Sequence, residues 1–415
     1  MCDCYAGSVI ISTHRSDDFA PAAIRETFGS YEMQTLEDAA GSNLDGLSLK
    51  HSYCQVNVPP GSELSLSDAF RRRYIEVMLD HGRGPAELRN ALVNPDFAPI
   101  AQPEAQATAS ATPSPGTSPS LSFTQEHNSY RRLMNMVPAA WHTVFTPTIG
   151  VIDTGWKPPT SIAPTITSEV DLTKSPVGVT APDSYGHGSV VIAIIHDLAA
   201  SSQFRVYRVG DTSTREWTFL AGLARAAEDQ CDIINASIGF GLKDRNCATC
   251  GRDYGTTRSQ VFYRLLESLL DIKDRLIFVG SAGNQSTSQP CYPARFTPTV
   301  CVASTDSNGA LSTFSNWGNI DQDNNPHPCV ILAPGGDRRK GIAGSDEYVA
   351  NYMNKDWRGT SFSAAYVSGL LADHLSQVGS HTRAGLIADL TSAASTTKVS
   401  AYSQAKHGVG LAQRI

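Results

Sequence analysis

Four short stretches of this chain put polar groups where chemistry could be done. Val151–Ile152–Asp153–Thr154–Gly155 ends an apolar run on a carboxylate, and a carboxylate ending a buried strand needs a partner for its charge. Ser184–Tyr185–Gly186–His187–Gly188–Ser189 brackets an imidazole between two glycines, which let the backbone approach closely and leave the ring uncovered. Arg358–Gly359–Thr360–Ser361–Phe362–Ser363 leads from a glycine turn into a small-residue, apolar helix. The N-terminus of such a helix offers free amide N–H groups and a positive dipole end to a developing anion. Ser281–Ala282–Gly283–Asn284 closes another apolar run with a side-chain amide that could donate to an oxyanion. Each residue also has a plainer reading: Asp153 capping the next turn, His187 as one structural histidine among eleven, Thr360 or Ser361 as an N-cap, Asn284 as a turn residue after glycine.

The elements that must position these groups follow from the hydrophobic pattern. Short continuous apolar runs at Thr148–Ile152, Asp232–Ala236, Leu276–Val279, Val300–Ala303 and Val330–Ala333 read as strands. Helical spacing lies between several of them, at Val190–Leu198, Thr218–Ala227 and Val261–Leu270. Apolar strands separated by helices imply an α/β fold with a mostly parallel, doubly wound sheet covered on both faces. Functional groups of such sheets belong at the carboxyl ends of strands, where Asp153 and Asn284 fall. Residues 1–100 read differently, as a small α+β unit: a strand at Ser8–Ser12, a helix at Phe19–Phe28, a strand at Leu47–Val58, a helical stretch Ser67–Leu92 broken at Gly82–Gly84–Pro85, and a last strand at Phe97–Ile100. Residues 101–124 are almost all Ala, Pro, Ser, Thr, Gln and Gly and read as a flexible linker. Residues 125–415 form the larger domain.

Taken together, the four stretches resemble the motifs of the subtilisin-like serine peptidases, in that family's order of Asp, His and Ser. The resemblance runs from about Tyr130 to the C-terminus. Val151–Gly155 is similar to the aspartate motif, Gly186–His187–Gly188 to the histidine motif, Gly359–Thr360–Ser361 to the nucleophile motif, and Ser281–Asn284 to the oxyanion motif. Asn235–Ala236–Ser237–Ile238–Gly239 resembles the substrate-pairing strand, Ala333–Pro334–Gly335 a familiar turn, and His407–Gly410 the usual end of the domain. The resemblance implies that Ser361 attacks the scissile carbonyl, His187 takes its proton, Asp153 stabilises the imidazolium, and Asn284 with the Ser361 N–H holds the oxyanion. It implies a peptide pocket formed by Ser237, Ile238, Gly239, Ser281, Ala282, Gly283 and Cys291, mostly uncharged and suited to a small or medium apolar P1 residue. Departures from the pattern are Ser189–Val190 after Gly188, Ala365 in place of proline and Tyr366 where histidine is common. They point to a divergent branch.

The resemblance also implies that residues 1–100 are an inhibitory propeptide, cleaved between about Pro95 and Gln125, in a zymogen that cuts a specific intracellular protein or peptide precursor. A targeting or partner-recognition domain is the other reading of this unit. A non-catalytic peptide-binding pseudoprotease is the competing function; a lipase-like hydrolase is weaker, since no Gly-x-Ser-x-Gly elbow occurs. No cofactor is required, with room left for structural Ca²⁺. Cys247–x–x–Cys250 would need two more ligands from Cys231, Cys291, Cys301 and Cys329 to hold zinc, and free thiols or one local disulfide are the better reading. Asp321–x–Asp323–x–Asn325 imitates a calcium loop without its glycine or terminal glutamate.

Composition bounds the rest. With 415 residues, 18% charged, and 33 glycines, the chain is neither a coiled coil nor wholly disordered. A net charge of −7 disfavours a nucleic-acid backbone binder. The best apolar run, Val190–Ile195, is too short to span a membrane. Ser8–Ile11 is too short for a signal h-region, and nine cysteines in no regular framework suit a reducing compartment. The expected location is therefore cytoplasmic. Lipidation of Cys2 or Cys4 finds no second membrane signal nearby.

Overall fold

The computed structural model describes residues 5–93, 100–109, 114–115, 120–136, 143–240, 259–338 and 346–415. Cys247–x–x–Cys250, Cys2 and Cys4 lie outside the described residues. The chain divides into two compact units: one spans Met1–Gln106, Arg215–Arg225 and Lys243–Ile272, the other Ala107–Thr214, Ala226–Leu242 and Lys273–Ile415.

In the first unit four antiparallel strands lie in the order Ile100–Ala109 (its residues up to Gln106), Tyr5–His14, His51–Asn57, Met33–Thr35. Helices Ala20–Phe28 and Glu63–Asp80 pack together, and Val9, Ile11, Phe28, Val56, Phe70 and Tyr74 form the core. Glu63–Asp80 and Pro85–Val93 flank the expected glycine–proline break. The strand Ile100–Ala109 corrects the linker reading over its length. Its partner is the backbone of Tyr5–Ser12, and a ladder needs N–H and C=O groups rather than apolar side chains. The unit also takes in Arg215–Arg225 and the helix Gln260–Ile272: Trp217 Nε1 donates to Gln34 Oε1 at 2.9 Å, and Arg264 Nη1 to Ser12 Oγ at 3.2 Å.

The second unit is built on a seven-stranded sheet in the order Val330–Pro334, Val300–Thr305, Ile277–Ser281, Ile233–Ala236, Thr148–Asp153, Gln203–Arg208, Thr165–Asp171. All six neighbouring pairs are parallel. The five strands from Val330–Pro334 to Thr148–Asp153 are buried almost without alternation, as strands covered on both faces must be. The other two, QFRVYR and the edge strand TITSEVD, lie at one end of the sheet and alternate polar and apolar residues, one face being partly open. Two buried helices, His187–Leu198 and Thr360–Val378, pack against each other, and the second also lies on the four strands from Ile233 to Pro334. Among the described residues no helix is long and apolar enough to cross a membrane.

Candidate active site

The strand Thr148–Asp153 delivers Asp153 at its carboxyl end, and the helix beginning at His187 delivers the imidazole beside it. His187 Nδ1 lies 2.6 Å from Asp153 Oδ1, and both side chains are completely buried. Two structural details make that approach feasible. A Cβ on Gly188 would stand 2.4 Å from the Gly155 carbonyl oxygen, so only glycine lets the helix start this close to the aspartate strand. Asp183, which sequence reasoning passed over, fixes the helix start: its Oδ1 accepts from Thr154 Oγ1 and the Tyr185 and Gly186 N–H groups, and its Oδ2 from Ser189 N and Oγ, at 2.7–3.1 Å. An acidic residue four positions ahead of an apolar helix is a capping signal that could have found it. The imidazole is walled by Phe362 and Trp357, with ring centroids at 5.4 and 5.8 Å.

Ser361 stands in the first turn of the helix Thr360–Val378, fully buried. Its Oγ donates to the Ser237 carbonyl at 3.1 Å, while His187 Nε2 has no hydrogen-bond partner among the described residues. The structure therefore pairs the aspartate and histidine and leaves the serine–histidine hydrogen bond unmade. Ser237 is bound back to the same region, its Oγ lying 2.9 Å from both the Ser361 carbonyl and Asn235 Oδ1.

Asn284 is oriented by the nucleophile helix. Its Oδ1 accepts from Thr360 N at 3.0 Å and Thr360 Oγ1 at 2.9 Å, and its buried Nδ2 has no partner among the described residues. A buried amide donor without an acceptor is costly, and here it sits beside the start of the nucleophile helix, next to the Ser361 N–H in its first turn. Such a pair of donors can hold an oxyanion.

Gly239, Gly283 and Cys291 converge as the peptide-pocket reading requires. A Cβ on Gly239 would lie 3.1 Å from Cys291 Cβ, and one on Gly283 (φ +105°) 2.4 Å from Cys291 Sγ. Phe240 and Tyr292 exchange backbone hydrogen bonds, which fixes Cys291 beside this strand. Cys291 Sγ is held by Gln285 Oε1 and Asn316 Nδ2 at 3.2 and 3.3 Å, two residues that sequence reasoning missed. Burial pushes its thiol up to about 12, so this wall stays uncharged. Ser281 and Ala282 are buried, and the Ala282 carbonyl accepts from Cys291 N and Asn316 Nδ2. Ile238 and Gly239 pair antiparallel with Ala109 and Thr108.

The other candidate ligands go elsewhere. Cys231, Cys291, Cys301 and Cys329 are free thiols and form no metal-ligating group among the described residues. Asp321 Oδ1 accepts the Asp323 and Asn325 N–H groups at 2.8 and 2.9 Å, capping its own turn.

Comparison with known proteins bears on the family and the fold. The sequence pattern of the subtilase family matches residues 146–410. Alkaline serine exoprotease A of Vibrio alginolyticus is 34% identical over 130 residues, 31% of this chain and 21% of that protein. Thermitase of Thermoactinomyces vulgaris is 28% identical over 128 residues, 30% of this chain and 40% of that protein. The matches thus span well under two thirds of those relatives. Fervidolysin from Fervidobacterium pennivorans, described as a keratinolytic enzyme related to subtilisin, shares the fold at TM-score 0.61 and 14% identity, over 99% of this chain and 60% of that one. The epidermin leader peptide processing serine protease of Staphylococcus aureus does so at TM-score 0.60 and 18% identity, over 98% and 97%.

Proposed function

Because this chain belongs to the subtilase family, we propose that it is a serine endopeptidase acting through Asp153, His187 and Ser361. It is made as a self-inhibited zymogen. The observation that carries the reading is the buried Asp153–His187 pair at 2.6 Å, with the opposite ring nitrogen unpartnered. Turned from the Ser237 carbonyl to His187 Nε2, the Ser361 hydroxyl gives up its proton as Oγ attacks the peptide carbonyl. Asp153 holds the imidazole with Nδ1 protonated and stabilises the imidazolium. The oxyanion is received by Asn284 Nδ2 and the Ser361 N–H. His187 then returns the proton to the leaving amine, and water repeats the sequence on the acyl-enzyme. The reaction so written uses no cofactor. A peptide-binding scaffold would have no use for an oriented, unpartnered amide beside a His–Asp pair, so the catalytic reading is preferred.

Three observations support self-inhibition. Asp153, His187 and Ser361 are fully buried. Thr108 and Ala109 occupy the backbone edge of Ile238–Gly239, antiparallel, as an added peptide strand would. The first 106 residues form one compact unit with Arg215–Arg225 and Lys243–Ile272, which fall inside the stretch matched to the family. The residue that follows Ala109 in the sequence, Ser110, is proposed as P1 and Ser110–Ala111 as the bond cut. A serine side chain suits a small, uncharged pocket walled by Gly239, Gly283 and Cys291. The five described cysteines are free thiols, which fits action on an intracellular protein or peptide precursor.

The test compares intact masses of wild type and Ser361→Ala, each with and without a fluorophosphonate probe. The reading expects wild type to be cut after Ser110 and labelled, and the mutant to stay whole and unlabelled. If wild type stays whole, the segment 110–120 is clipped with an exogenous protease. Failure to label after clipping would refute catalysis, whereas labelling only after clipping would show a zymogen activated by another enzyme.

A further inference from the structure

At the far end of the nucleophile helix lies a cluster of side chains that the peptidase chemistry does not use. His374 projects from the helix Thr360–Val378, His381 lies in the turn that follows, and Asp389 stands on the next helix, Arg383–Ala393. His374 Nε2 is 3.2 Å and His381 Nε2 3.8 Å from the same carboxylate oxygen, Asp389 Oδ2. One donor atom from each residue lies within 4.8 Å of the others. Among the described residues, no lysine or arginine pairs with Asp389, while the neighbouring Asp373 is taken by Arg414 at 3.1 Å. All three side chains are partly open to solvent, with 13%, 28% and 38% of their surface exposed, so an ion could enter and keep bound water.

We propose that His374, His381 and Asp389 form a binding site for a late first-row divalent cation, Zn²⁺ in the first place. Two imidazole nitrogens and one carboxylate oxygen are the donor set such an ion prefers, and Ca²⁺, which takes oxygen ligands, is disfavoured. Tetrahedral zinc with bonds near 2.0–2.1 Å sets its ligand atoms about 3.3 Å apart. The His374–Asp389 spacing already meets that, and His381 has to close by only a few tenths of an ångström on Asp389. Gly385 makes the arrangement available: a Cβ there would stand 2.8 Å from His381 Nδ1, so any larger residue would push the ring off the helix. Water would fill the fourth position.

The consequence is structural. Thirteen residues of helix separate Ser361 from His374, about 20 Å at 1.5 Å per residue, so the ion does not touch the reacting atoms. It ties the end of the nucleophile helix to the turn and the helix after it. Zn²⁺ at a hundred times its Kd would raise the folded-to-unfolded ratio about a hundredfold. The inference is independent of the peptidase reading.

The test uses the full chain carrying Ser361→Ala, stripped with a chelator and titrated calorimetrically with ZnCl2 and with CaCl2. Expected are a zinc isotherm that Ca²⁺ does not reproduce, a higher melting temperature with zinc, and loss of at least tenfold in affinity in His381→Ala and in Asp389→Asn. Cys247→Ser/Cys250→Ser should leave binding through this site intact. Co²⁺ substitution gives a readout on the unmutated cluster: d–d bands without thiolate charge transfer are expected. Absence of saturable zinc binding, thiolate-type cobalt spectra alone, or affinity unchanged in both His381→Ala and Asp389→Asn would overturn the proposal.

Discussion

His327 sets an acid limit on the second unit that can be worked out and measured. The imidazole is buried, its Nε2 faces the Phe296 carbonyl at 3.1 Å, and its Nδ1 accepts from Cys329 N at 3.1 Å. That pair of bonds requires the neutral ring with the proton on Nε2. Burial pushes its pKa down to about 4, against the partial support that the Phe296 carbonyl and the Asp321 carboxylate give the charged form. In the unfolded chain the ring returns to about 6.5. The sign follows directly: above pH 6.5 both states are neutral and the full stability is present. Between 6.5 and 4 the unfolded state binds a proton that the folded state refuses, so stability falls with pH. A displacement of about 2.5 units corresponds to roughly 3 kcal/mol, lost at up to about 1.4 kcal/mol per pH unit.

The perturbation is His327→Gln, with both chains carrying Ser361→Ala to prevent self-digestion. Glutamine can donate to the Phe296 carbonyl but does not titrate. It leaves the Cys329 N–H poorly served, at a pH-independent cost of about 1–2 kcal/mol. Urea unfolding at pH 8, 7, 6, 5 and 4 should show the parent ahead by that constant at pH 7–8, level near pH 5–6, and behind by pH 4. All other titrations are shared by the two chains and cancel in the difference. A difference that stays constant from pH 8 to pH 4 would refute the reasoning, because His327 would then take up its proton equally in both states.

Two further outcomes bear on the reaction. Asn284→Ala should lower kcat by about 10²–10³, the magnitude an oxyanion donor carries in subtilisin, with KM little changed, measured on a peptide anilide. Ser110→Arg should stop self-cleavage after residue 110 while the separately activated enzyme keeps its activity on that anilide. Intact mass reads the first effect, and an unchanged rate of cutting after position 110 in that variant would sink the register assignment.

How much of this was legible beforehand depended on what each residue touches. Five strands of the sheet showed as unbroken apolar runs because both their faces are buried, and Asp153, His187, Asn284 and Ser361 showed because glycines punctuate the turns beside them. The strands Gln203–Arg208 and Thr165–Asp171 at one end of the sheet were missed, since their alternation and charges resemble loop. The strand Ile100–Ala109 was read as linker because composition reports side chains, whereas its partners are backbone groups. Asp183, Gln285 and Asn316 contact groups that are brought together only by the fold, and Asp183 alone left a local trace as a helix cap. Which acceptor the Ser361 hydroxyl chooses is a matter of rotamer, which no sequence pattern encodes.

That rotamer ties latency to substrate entry through one short segment. Ser237–Gly239 offers its backbone edge to Thr108–Ala109 and, one residue along, the Ser237 carbonyl to Ser361 Oγ. A peptide strand that fills this edge in register competes for the same carbonyl. A carbonyl oxygen has two lone pairs, so a peptide N–H there weakens the hold on the hydroxyl without excluding it, and His187 Nε2 is buried nearby with no partner among the described residues. Leaving both groups unsatisfied would cost about 1–3 kcal/mol each, and the serine–histidine hydrogen bond removes both penalties. A peptide N–H on the Ser237 carbonyl therefore favours the catalytic link without being needed to form it, and a site whose serine–histidine bond is unmade is not thereby inactive.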